Sequence, residues 1–163
     1  MARRNVNPSS GGTGGTHEQT INTAFGEILA EMGHRWDIRS ELIGRTFEEG
    51  GRPDILIQNP GDWPVVIEAE VANHRQAEIE AQSRLGNRLV DSAMSIDSAI
   101  ALVYSSDARK YSGQALRAAL RNAMFEYALF STGPGEATIR VPASGWLKGD
   151  FRVAVYFRCD WSL

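Results

Sequence analysis

From Thr16 the apolar residues Ile21, Ala24, Phe25, Ile28, Leu29 and Met32 recur at intervals of three and four. This predicts one amphipathic helix, with Thr16 as N-cap and Gly33 as stop. Glu18 falls on the inward stripe of that helix, whereas Glu27 and Glu31 fall off it. A first-turn acid can simply complement the helix dipole, so Glu18 is either that or a site residue. A short strand is expected within Trp36 to Ile43. The pattern then changes period: "PDILIQ" and "VVIEAEV" are rich in β-branched residues and flank "NPGDWP", whose prolines, Asn and Gly forbid regular structure. Together they predict a β-hairpin.

Alternation along its second strand puts Val65, Ile67, Ala69 and Val71 on one apolar face and Val66, Glu68 and Glu70 on the other. A register pairing Ile57 with Val65 sets Asp54 opposite Glu68, with Cβ atoms about 5 Å apart. Two like charges so placed repel unless a cation or a proton lies between them. A hard divalent ion answers that need, because Mg²⁺ accepts one or two carboxylates plus waters and phosphate. A solvated hairpin face, on which acids are ordinary, is the competing explanation.

Asn73 and Gln76 stand at capping-box spacing and open a helix whose stripe is Ile79, Leu85 and Leu89, with Gln82 as a polar interruption that needs a partner. The apolar run "AIALVY", residues 99 to 104, predicts a buried central strand. A second long helix is expected from about Ala108 to Phe130, with Leu116, Ala119, Leu120, Ala123 and Tyr127 inward and Arg117 and Arg121 outward. Strands "ATIRV" and "FRVAVYF" close the chain. In the last of these, Phe151, Val153, Val155 and Phe157 share a face opposite Arg152 and Arg158, which suits a sheet edge open to pairing.

Composition narrows the classes. The length of 163 residues suits one domain, residues 16–163, preceded by a flexible Gly/Ser/Thr-rich arm, residues 1–15, carrying Arg3 and Arg4. A net charge of -3 excludes wholesale electrostatic binding to nucleic acid, so any such contact needs a local basic patch. Cys159 is the single cysteine, which excludes internal disulfides and Cys-rich zinc sites and fits a reducing cytoplasm. No run of about 18 apolar residues marks a membrane span, and no apolar signal segment opens the chain, so no membrane association is expected.

Other chemistries lack their context. "GGTGGT" has no Gly-Lys-Ser/Thr ending, so it is no P-loop. Ser144 in "PASGW" is not in a nucleophile elbow. His17, His34 and His74 lack metal-ligand spacing, and Trp63 and Trp146 suit core or turn anchoring.

Helix, two or three antiparallel strands, helix, central strand, with Pro53-Asp54 before one strand and Glu68-Ala-Glu70 on the next, resembles the PD-(D/E)xK nuclease superfamily across residues 16 to about 130. The resemblance implies an α/β, restriction-endonuclease-like fold with a central mixed β-sheet flanked by helices. It implies a Mg²⁺- or Mn²⁺-dependent DNA endonuclease hydrolysing phosphodiester bonds in restriction or phage defence. Carried over, Asp54, Glu68 and Glu70 are catalytic, Glu18, Asp54 and Glu68 hold the metal, and Gln82 matches the supporting glutamine some members carry on the following helix. The departure is Glu70, where the family has lysine; a few restriction endonucleases carry Glu-x-Glu and still cleave. The missing positive charge must then come from elsewhere, with Arg84 and His74 as candidates. Arg84, Arg117 and Arg121, with Arg109, Lys110 and the arm, are the candidate DNA contacts. The alternative from another class is a catalytically inactive module of this fold that binds nucleic acid or a partner protein. Because one site cuts one strand, a homodimer, a larger defence complex or a longer parent protein is expected, the alternative being a monomeric nickase whose last strand packs within its own sheet.

Overall fold

The computed structural model describes residues 16–32, 37–40, 47–58, 64–90, 92–122 and 125–149. The arm, the hairpin turn at 59–63 and the "FRVAVYF" segment lie outside them. The elements are α1 (Glu18–Met32), β1 (Asp37–Ser40), β2 (Ile55–Gln58), β3 (Val65–Val71), α2 (His74–Arg84), β4 (Ser98–Tyr104), α3 (Gly113–Arg121), β5 (Phe125–Thr132), β6 (Thr138–Val141) and β7 (Leu147–Lys148). They form an α/β fold with one open, mixed sheet in the order β1-β2-β3-β4-β5-β6, and β7 also pairs with β5. Strands β3 and β4 are parallel, joined through α2, and the other pairings are antiparallel. Among the described residues no helix is long and apolar enough to cross a membrane.

The two faces of the sheet are packed differently. On one side Ile21, Phe25, Ile28 and Leu29 of α1 and Leu116 and Leu120 of α3 meet Ile55, Ile57, Ile67, Ala69, Ile100, Leu102 and Tyr104. On the other, Ala77 and Ala81 of α2 lie on Ala99, Ala101, Val103, Ala128 and Phe130. Alanine against alanine lets the α2 backbone come close to the sheet, so polar side chains flanking that contact are drawn down to the level of the strands.

The hairpin, the central strand and the Ile57–Val65 register stand as expected. Three expectations need correction. The long helix from Ala108 to Phe130 is instead a 3₁₀ turn (Ser106–Lys110), the short α3 and strand β5. Leu116, Leu120 and Tyr127 keep helical spacing across the break, but Phe125 and Tyr127 are buried as alternate residues of a strand. The stripe on α2 is Ala77 and Ala81, not Ile79, which is 50% exposed. Finally, the Thr16 hydroxyl donates to the Tyr111 carbonyl rather than capping α1. Asn73 does cap α2, its Oδ1 accepting from the Gln76 N–H at 3.2 Å.

Candidate metal centre

The β2–β3 ladder ends at the pair Ile55–Ile67, yet β3 continues to Val71. The backbone N–H groups of Ala69 and Val71 therefore lie beyond the last β2 residue. Buried donors need acceptors, and two carboxylates supply them. Asp54 Oδ2 accepts from Ala69 N at 2.7 Å, and Glu18 Oε2 accepts from Val71 N at 3.0 Å. The Pro-Asp step that leads into β2 thus fixes Asp54 by its own hydrogen bond, and the first turn of α1 does the same for Glu18.

Glu68 points to the α2 side of the sheet and is 1% exposed. Glu80 and Arg84, one helical turn apart on α2, flank the alanine contact and reach the same place. Carboxylate oxygens of Asp54, Glu68 and Glu80 all lie within 4.8 Å of one another. Arg84 Nε donates to Glu68 Oε1 at 2.5 Å. Burial, with the charge of Asp54 added, pushes the Glu68 carboxyl up to about 8 even though Arg84 opposes the shift. Glu70, two residues along the strand, is pushed up to about 7 by burial and by the charges of Glu18, Glu80 and Asp54. Burial and the charges of Asp54 and Glu18 raise the Tyr104 hydroxyl as well.

Three converging oxygen donors, one of them buried, suit a hard divalent cation such as Mg²⁺ or Mn²⁺, and no histidine or cysteine joins the group among the described residues. The same crowding that raises Glu68 and Glu70 is relieved when a cation shares their field.

The structure gathers part of the expected set. Asp54 and Glu68 are in the cluster and Glu70 is beside it. Glu18 sits on Val71, with Arg109 at 3.9 Å, and is not one of the three converging acids. Glu80 takes that place, and the sequence pattern hides it because Ile79, the larger apolar residue, marks the inward face less truly than Ala77 and Ala81 do. Gln82 is exposed, with its amide 3.5 Å from Glu78, so it supports nothing in the cluster. Arg84 lies on Glu68 with only 19% of its side chain exposed. Arg117 pairs with Glu27 and Glu31, and Arg121 with Glu31, which ties α3 to α1 and engages the charges expected to face nucleic acid. Lys110 pairs with Asp107 at 2.6 Å. His74 pairs with Glu126 and packs edge-on against Trp146, apart from the cluster. No family model and no curated protein matches this chain.

Proposed function

We propose that this chain is a divalent-metal-dependent DNA endonuclease of the PD-(D/E)xK kind, with a restriction-endonuclease-like fold, acting in restriction or phage defence. The observation that carries the reading is the convergence of Asp54, Glu68 and Glu80 within 4.8 Å where the pairing of β3 with β2 stops. The element order α1, β1, β2, β3, α2, β4 agrees with the order on which the resemblance rests, and Asp54 and Glu68 occupy the hairpin positions it requires. The choice of DNA and of defence rests on the resemblance alone.

In this reading Asp54, Glu68 and Glu80 hold Mg²⁺ or Mn²⁺. Such an ion neutralises a phosphodiester and lowers the pKa of an attacking water. Glu70 stands where the resemblance would have lysine. Its carboxyl lies close enough to Glu80 and Asp54 to feel their charges, so it stands beside the place where the attacking water would be, which suits a general base. Arg84 brings from α2 the positive charge that β3 lacks. Asp54 and Glu18 hold the strand end in place through Ala69 and Val71, and Tyr104 is buried behind them.

The test is nicking of supercoiled plasmid with Mg²⁺ or Mn²⁺. The wild-type protein nicks, and Glu80→Ala and Glu68→Ala each lower the rate about a hundredfold or more, as loss of a metal-holding group does. Nicking that survives in both variants refutes the site. No nicking of DNA or RNA with any divalent metal refutes the enzyme and favours a binding module.

A further inference from the structure

Arg84 is held more firmly than a surface arginine that meets an acid by chance. Its Nε donates to Glu68, and a terminal nitrogen donates to the Arg52 carbonyl at 3.2 Å. Its guanidinium carbon lies 5.0 Å from the ring centre of Phe47, which is itself 2% exposed and wedged among Leu56, Val66, Leu89 and Ile96. Gly51, at φ +82°, also borders the guanidinium, and a Cβ there would stand 3.2 Å from the other terminal nitrogen. A ring face, a carbonyl and a missing side chain make a slot for a planar cation, built so that its bonding edge rests on Glu68.

That carboxylate is also one of the three that converge. Resting on the metal-centre reading above, we propose that Arg84 is a built-in counter-ion that sets the metal concentration at which the site loads, because it and a divalent cation draw on the same Glu68 carboxylate. The two cations repel each other across one acid, so each weakens the hold of the other. Loading then loosens Arg84 from Glu68 while Phe47 and the Arg52 carbonyl keep it at the site. Its fork is thereby freed for a phosphate, the anion it matches best. A merely structural arginine predicts the reverse: its removal would slacken the cluster and weaken metal binding.

Calorimetric titration with Mn²⁺ at about pH 8.5, run in buffers of different ionisation enthalpy so that any proton released on binding is counted and taken out of the comparison, separates these cases. Arg84→Met binds Mn²⁺ about tenfold more tightly than the wild type, and Arg84→Lys, which keeps the charge, stays within about threefold of it. In the wild-type protein, the Arg84 Nε–H resonance moves and exchanges faster with solvent as Mg²⁺ is added, a readout that needs no variant to fold. Equal or weaker Mn²⁺ binding by folded Arg84→Met, or an Nε–H signal unchanged through Mg²⁺ saturation, overturns the proposal alone. A wild-type protein that binds neither ion overturns the metal centre itself and this inference with it.

Discussion

Replacing Glu68 by glutamine keeps the shape of the side chain and an acceptor for Arg84 but removes a buried charge. In the folded protein the Glu68 carboxyl stands at about 8, against an ordinary value of 4.5. A group that holds its proton more tightly when folded adds stability that is complete below 4.5 and is lost as pH rises through 8. At about 1.4 kcal/mol per unit, the loss between about pH 5.5 and 8.5 is about 3 kcal/mol. Glu68→Gln has no such proton to lose. Urea unfolding at the two pH values, with chelator present, should show the wild type losing about 3 kcal/mol more than the variant over that interval. Adding Mn²⁺ at the higher pH should restore part of the wild-type loss and leave the variant less changed, since an ion bound only by the native state stabilises it. Parallel pH profiles for the two proteins would refute the reasoning, because they would mean that Arg84 compensates the buried charge in full.

Ala81→Leu forces extra volume between α2 and the alanine face of the sheet, which costs about 1–3 kcal/mol in urea unfolding. It also weakens Mn²⁺ binding by moving Glu80. Tyr104→Phe deletes a fully buried hydroxyl with no hydrogen-bond partner among the described residues, so stability should change by less than about 0.5 kcal/mol. A loss beyond about 1.5 kcal/mol would show that the hydroxyl is bonded after all. The Glu126 carboxyl is held below its usual value by hydrogen bonds from His74 and then Lys148. Its stabilisation is therefore present above the ordinary 4.5 and lost as pH falls below it. Glu126→Gln should flatten the acid side of the unfolding profile by no more than about 1 kcal/mol, because the pair is partly exposed.

The part of the site that lies on β2 and β3 was legible because strand alternation and a turn of fixed chemistry leave few registers. Once Ile57 faces Val65, Asp54 and Glu68 must meet. The part on α2 was not legible, because large apolar residues usually mark the inward face of a helix, and here Ile79 points outward. The partner surface decided the matter. Ala99, Ala101 and Ala128 leave a shallow trough that only Ala77 and Ala81 can enter closely, which carries Glu80 and Arg84 inward with them. An alanine pair at i, i+4 with Glu80 and Arg84 beside it was the available signal. The region after Tyr104 failed for another reason. Leu116, Leu120 and Tyr127 fit a helix and Phe125, Tyr127 and Leu129 fit a strand, so the residues shared two periods and tertiary pairing with β4 chose between them. The role of Glu18 lay between its two readings, since its carboxylate satisfies a strand N–H rather than the start of its own helix.

The most direct test of the account is anomalous diffraction from crystals soaked in Mn²⁺. The account predicts a single strong peak bonded to carboxylate oxygens of Asp54, Glu68 and Glu80, with the Arg84 guanidinium drawn back from Glu68. No peak at saturating Mn²⁺, or a peak held by Glu18 and Glu70 without Glu80, would contradict it.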